Sequence, residues 1–291
     1  MELNTEIIHT PPRDAATVVM LRDGSQGLEV FLVKRHGLSD VLGGAYVFPG
    51  GKVDSADTHP DLQARLDQPA QALHASLNEP ELSHVTAASL FVAAVREAFE
   101  ESGILFAQAA EADTTAQASA LLREGLSFDA VLQRLGLQLQ TRSILPWSRW
   151  ITPKQPAVMS KRFDTRFFVA AVPAHQTAQH DNFEATESAW LTPRTALEQY
   201  WERQIELAPP QIMSLIHLAR HANVHSVLDA ARRQPPPVIA PEPFRQDQEL
   251  MLCYPGDERH SVREKALPGP TRLIHRNQRF EPQDGFEALF I

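Results

Sequence analysis

Four residues carry the first hint of chemistry. They are Arg96, Glu97, Glu100 and Glu101, within Val95-Arg96-Glu97-Ala98-Phe99-Glu100-Glu101-Ser102-Gly103-Ile104. At about 100° per residue, a helix sets the three glutamates, at i, i+3 and i+4, on one face. As a helix end alone this is unfavourable. Like charges at those spacings repel by roughly 0.2–0.5 kcal/mol per pair, and anions at a C-terminal end oppose the helix dipole. Arg96 is spaced to answer Glu100 at i+4, but not all three. A hard divalent cation, Mg²⁺ or Mn²⁺, resolves the conflict, because it takes carboxylate oxygens and keeps waters for chemistry. The alternative is a solvated acidic helix end with no ligand.

The elements that must position this face follow from the surrounding pattern. Ala87, Leu90, Phe91, Ala94 and Ala98 recur at a three-to-four spacing, which predicts one apolar stripe on a helix. Gly103 is suited to end it in a left-handed cap, and Ile104-Leu105-Phe106 reads as a short buried strand. Upstream stands Phe48-Pro49-Gly50-Gly51-Lys52-Val53-Asp54, a tight loop after a strand. Its paired glycines allow positive φ and close backbone approach to a ligand.

The F-P-G-G loop followed by R-E-x-x-E-E-x-G-I resembles the Nudix hydrolase box. The resemblance spans roughly residues 14–200 and implies an α/β fold, an α/β/α sandwich on a mixed sheet with helical insertions. It also implies a loop–helix–loop that binds divalent metal and hydrolyses a diphosphate linked to another moiety. On that basis Glu97, Glu100 and Glu101 hold Mg²⁺ or Mn²⁺ with help from a backbone carbonyl at Gly50 or Gly51. Arg96 orients a glutamate. A further carboxylate, serving as metal ligand or base, is expected just before Ala189-Trp190-Leu191; Glu184 and Glu187 stand there, and Glu187 is the choice, against a plain surface carboxylate.

The first half of the box departs from the family. Arg96 follows Gly51 by 45 positions, where the family's box runs uninterrupted, so residues from about 55 to 83 read as an insertion. Asp57 stands where the family has a glutamate. An interrupted box of this kind resembles the mitochondrial and peroxisomal-type coenzyme A diphosphatases and their bacterial relatives, as does Trp147-Ser148-Arg149-Trp150-Ile151-Thr152-Pro153 with Arg162-Phe163-Asp164-Thr165-Arg166-Phe167-Phe168. The bacterial signature's arginine near Asp40 is missing here. The implied substrate is coenzyme A or acyl-CoA, cut to 3′,5′-ADP and (acyl-)4′-phosphopantetheine. The box leaves open an ADP-ribose or nucleotide-sugar diphosphatase. It also leaves open a non-catalytic Nudix binding or regulatory module, although the carboxylates such a module would lose are intact.

Candidate phosphate ligands are cationic residues at strand ends. Arg35, beside Lys34, closes a strand from Leu28; Arg162 and Arg166 open another, where forked hydrogen bonds suit the 3′-phosphate or diphosphate. The competing readings are ordinary strand-end charges, or a pair with Asp164 that holds the sheet edge. Gly50 is expected at the substrate. Trp147 and Trp150 line an acyl groove or fill the core. His217, His221 and His225 recur at four on one predicted helix from Pro209, a metal spacing or a packed helix face.

Composition bounds the rest. The formal charge of −9 over 291 residues argues against nucleic acid as a partner, so anionic substrates need local positive charge. Cys253 is the lone cysteine, which leaves no disulfide framework and no cysteine-built zinc site. No apolar run approaches the ~18–20 residues of a membrane span, and Met1–Glu6 shows no signal pattern, so a cytoplasmic location is expected. One domain over 1–291 is expected. Within it, a helix near 60–66 lies in the insertion and a helical segment runs over 107–136, with Ser127 as N-cap and Gly136 as stop. These are read as a lid or helical cap. An extension over 235–291, carrying strand signals at Leu250–Leu252 and Arg272–Ile274, is read as wrapping the domain or a partner in a homodimer.

Overall fold

The computed structural model describes residues 7–37, 42–156, 161–181 and 185–291. Asp40 and Glu184 lie outside them. A long hairpin, β1 (Arg13–Gly24) and β2 (Gly27–Arg35), starts the chain. The strands pair only near the turn, from Leu21↔Val30 to Gly24↔Gly27. Beyond it they splay, and the next segment fills the wedge. β3 (Tyr46–Val47) pairs with β2 at Val33 and Lys34, and β4 (Gly50–Lys52) pairs with β1 at Ala15–Thr17. Between them the Pro49 carbonyl accepts the Val18 N–H at 2.8 Å.

Two short helices follow in the predicted insertion, α1 (Pro60–Gln63) and α2 (Ala70–Leu77), then α3 (His84–Ser102). The apolar stripe of α3 is buried, its N-terminus is capped by Ser83, and Gly103 takes the left-handed cap at φ 72°. Ile104, Leu105 and Phe106 are buried as expected but form no strand. Two of their backbone groups go to the Gln176 side-chain amide instead of a ladder. α4 (Ala112–Arg123) and α5 (Phe128–Leu135) come next, with Gly136 left-handed at the end. Ser127 stands at the N-cap position of α5, but its side chain makes no capping bond.

The sheet is completed by β5 (Leu145–Ile151), β6 (Phe163–Ala171) and β7 (Ala185–Leu191). β6 runs parallel to β1 over Arg13↔Phe163 to Leu21↔Ala171, β5 is antiparallel to β6, and β7 covers the free edge of β2. After α6 (Pro193–Trp201), α7 (Pro209–Leu218) and α8 (Val224–Arg233), the short β8 (Val238–Ile239) joins β5.

Alternation along these strands buries both faces of the sheet. Ala16, Val18, Met20, Phe31, Val33 and Phe168 face α3; Val19, Leu21, Val30, Leu32, Phe167 and Val169 face α6 and α7. Leu62, Leu66, Leu73, Leu77, Phe128, Val131 and Leu132 belong to the α3-side core. Of the two readings, lid or helical cap, the insertion and α4–α5 are the cap, packed over one side of the core.

The C-terminal segment folds as a sheet. β9 (Glu242–Gln246), β10 (Glu249–Cys253), β11 (Arg272–Arg276) and β12 (Arg279–Glu281) form an antiparallel meander. Leu250, Leu252, Leu273 and Phe280 share the core of α6 and α7. Tyr200 on α6 locks the contact: its hydroxyl donates to the Phe280 carbonyl at 3.0 Å and accepts the Phe280 N–H at 2.7 Å. The predicted wrapping is thus onto its own chain, by a regular sheet. Among the described residues no helix is long and apolar enough to cross a membrane.

Candidate active site

The end of α3 and the glycine loop are built against each other. Glu101, only 4 % exposed, accepts the Gly50 N–H at 3.0 Å. A Cβ at Gly51 would run into the Glu97 carboxylate, and one at Gly50 into Thr17 and the Ala16 carbonyl. Neither glycine has positive φ. They are needed for closeness, not for a left-handed turn, and Gly50 spends its N–H on Glu101 rather than offering it to a phosphate.

Arg96 organises the acidic face. Its Nε and Nη2 grip both oxygens of Asp57 at 2.8 and 2.9 Å, and Nη1 donates to Glu97 at 2.8 Å and to Glu100 at 2.9 Å. Nη2 also reaches the Lys52 carbonyl at 3.2 Å. Burial disfavours the guanidinium charge, but the Asp57 hydrogen bonds and the Glu97 and Glu100 charges outweigh it, and the Arg96 pKa is raised. Asp57 has no solvent exposure and also accepts the Asp54 N–H at 2.8 Å, closing a capping box on the 3-10 turn Ser55–Thr58. The residue that departs from the family's box is the one that anchors Arg96.

Among the described residues, no three acidic, histidine or cysteine side chains converge as a ready-made metal cage. Glu97 and Glu100 turn to Arg96, and Glu101 to the loop. The donor set still suits a divalent cation. Three hard carboxylates share one helix face beneath a loop whose glycines keep side chains out of the way.

Gly50 and Gly51 form one wall of a cleft of about 410 Å³. Arg13, Arg35, Lys52 and Lys161 bring four cations to it, and among the described residues no acidic side chain lines it. Trp150, Phe48, Phe163, Phe167 and Leu252 supply an apolar wall. No residue from 53 to 149 lines the cleft, so the insertion and α4–α5 stay out of it. Arg35, one of the candidate phosphate ligands, lines the cleft. Trp150 lines the cleft, whereas Trp147 stacks on His217 at 4.4 Å in the second core.

Several expectations are corrected. Arg166 is no phosphate ligand: it is 2 % exposed and forks onto Glu79 at 2.9 and 2.6 Å, with Asp14 and Asp164 beside it. Arg162 donates to the carbonyls of Thr152 and Thr10, both at 3.1 Å, and does not line the cleft. The ion-pair reading of this strand end is the one the structure bears out. His217 lies on α7 and His225 on α8, so the three histidines are not on one helix. Glu187 lies on β7, 56 % exposed, held by Lys34 Nζ and the Tyr46 hydroxyl, each at 2.8 Å. Those bonds, Lys34 first, lower its pKa, and it does not line the cleft.

The cations that sequence reasoning passed over are Arg13, Lys52 and Lys161. Arg13 and Phe163 are register partners, so parallel pairing of β1 with β6 carries Lys161 to the side of Arg13. That pairing spans some 150 positions and leaves no local signal.

A mixed sheet covered on both faces, with an acidic helix end clamped under a Gly-Gly loop beside a cationic cleft, is a Nudix-type arrangement. The chain belongs to the Nudix family: a family model for the NUDT19 Nudix domain matches residues 9–218. Among curated relatives, it is 28 % identical over 241 residues to acyl-coenzyme A diphosphatase NUDT19 of Xenopus laevis. It is 27 % identical over 236 residues to that of Homo sapiens. These matches cover 71 % and 69 % of this chain and 63 % of each relative. Among solved structures, a Nudix hydrolase from Alicyclobacillus acidocaldarius superposes with a TM-score of 0.61 at 26 % identity, covering 76 % of this chain and 97 % of that one.

Proposed function

We propose that this chain hydrolyses the diphosphate of coenzyme A or an acyl-CoA to 3′,5′-ADP and (acyl-)4′-phosphopantetheine, with Mg²⁺ or Mn²⁺. The observation that carries this reading is one cleft with two characters. Its rim has four cations, for a multiply charged anion, and its apolar wall suits the long uncharged arm of that substrate. The names of the curated relatives support the same substrate class.

In this reading Glu97, Glu100, Glu101 and the Gly51 carbonyl would hold the cation. A divalent ion there supplies diphosphate charge neutralisation and lowers the pKa of an attacking water. The chain's own residues do the positioning. Arg13, Arg35, Lys52 and Lys161 bind phosphate oxygens, and Arg96, fixed by Asp57, sets the orientation of Glu97 and Glu100. Water attacks one phosphorus, the P–O bond to the bridging oxygen breaks, and each phosphate leaves as a monoester. The proton lost by water goes to one of the α3 carboxylates, which stand under the loop that walls the cleft.

The test is product analysis by mass spectrometry, with Mg²⁺ or Mn²⁺ and a mixture of coenzyme A, acyl-CoAs, ADP-ribose and nucleotide sugars. Phosphopantetheine products are expected. Cleavage of ADP-ribose or nucleotide sugars alone would overturn the substrate, and no turnover of any would favour a binding module.

A further inference from the structure

Gln211 lies in the first turn of α7, where the cleft ends. Pro209 and Pro210 precede it and line the same wall, while the Glu206 carbonyl, accepting the Tyr46 N–H at 2.9 Å, ties this segment to β3. Gln211 is a lining residue of the cleft yet is only 6 % exposed. Its carbonyl oxygen is buried and has no hydrogen-bond partner among the described residues. A buried amide oxygen left unpaired is disfavoured. All four cations of the cleft are donors too, but they suit phosphate. What this position lacks is a neutral N–H donor that arrives with an apolar chain.

We propose that Gln211 is a specificity residue whose side-chain carbonyl accepts a hydrogen bond from a secondary amide N–H of the substrate's pantetheine arm. The inference rests on the coenzyme A reading above and deepens it. The substrate is then recognised at two points: phosphates by the cationic rim, and one amide of the arm by Gln211. The hydrogen bond from the arm's amide forms only when the arm lies along the apolar wall, so it selects pantetheine over arms that carry no amide. Discrimination of this kind is strong because a substrate without the donor leaves the buried acceptor unpaired.

The test pairs an edited substrate with an edited protein. Coenzyme A is compared with analogues in which one or the other arm amide is replaced by an ester, which keeps the carbonyl and removes the N–H. Wild-type protein is expected to lose about tenfold in kcat/KM on one of the two esters, within the range for one hydrogen bond to a buried group. Gln211→Leu is expected to lose a similar factor on coenzyme A and to show no further loss on that ester, as a cycle between contacting groups requires. Equal kcat/KM of wild type on coenzyme A and both esters would overturn the proposal. So would a folded Gln211→Leu that still discriminates. The wild-type comparison decides even if the variant fails to fold. Failure of wild type to cleave coenzyme A at all would instead remove the functional reading on which the inference rests.

Discussion

Arg96 shows why a single residue can be read correctly while its setting is not. Its spacing to Glu100 was legible, and the family resemblance implied that it orients a glutamate. Its anchor was not, because Asp57 is 39 positions away and stands in a turn that only the folded insertion creates. Removing one partner of a buried ion pair strands the other charge. Asp57→Ala is therefore expected to lower unfolding stability by about 3 kcal/mol. It should also release Arg96 from its position and cut activity by about 10–100-fold, as loss of a supporting partner does at metal sites. Urea unfolding and steady-state kinetics check the two effects; a variant with wild-type stability and rate would refute this role. The mistaken assignment of Arg166 has the opposite cause. Its motif is visible, but Glu79, which meets it in the core, lies 87 positions earlier in the insertion.

At the scale of elements, helix periodicity and caps were the readable part. α3 and its glycine cap follow from the apolar stripe, and α7 follows from Pro209-Pro210. Of the two readings of the short helices, lid or helical cap, only packing could choose, because short amphipathic helices carry no sign of whether they cover a cleft or a core. The second surprise is the burial of His217 on α7, stacked on Trp147. Burial, helped by nearby His221 and Arg220, holds its pKa down at about 4. The folded state then binds this proton less readily than the unfolded chain, whose histidine titrates near 6.5. Stability from this group is complete above the unfolded value and is lost as pH falls toward 4. The loss is on the order of 3 kcal/mol. Thermal melts between pH 7 and 4.5 should show it, and His217→Phe should flatten that slope. An unchanged slope in the variant would assign the acid sensitivity to other groups.

The whole molecule is a sheet with two cores, and its site lies where they meet. A sheet covered on both faces was implied by the family resemblance, but not that the C-terminal segment returns as a second sheet against α6 and α7. Scattered strand signals do not specify partners separated by loops as long as the one between Cys253 and Arg272. The cleft draws on β1 to β6, α7 and β10, which is why four of its features, Arg13, Lys52, Lys161 and Gln211, escaped a linear reading. The central claim is that this assembly cuts a coenzyme A diphosphate through the acidic face of α3. The most direct measurement is turnover of coenzyme A by wild type and Glu101→Gln, each with Mg²⁺ or Mn²⁺ and with fold checked by circular dichroism. Glutamine keeps an acceptor for the Gly50 N–H and removes the charge. Wild type should release 3′,5′-ADP and 4′-phosphopantetheine, and the variant should fall by at least about 10²-fold, the scale of losing one electrostatic group from a catalytic site. Equal turnover by the two proteins, or none by wild type, would contradict the account.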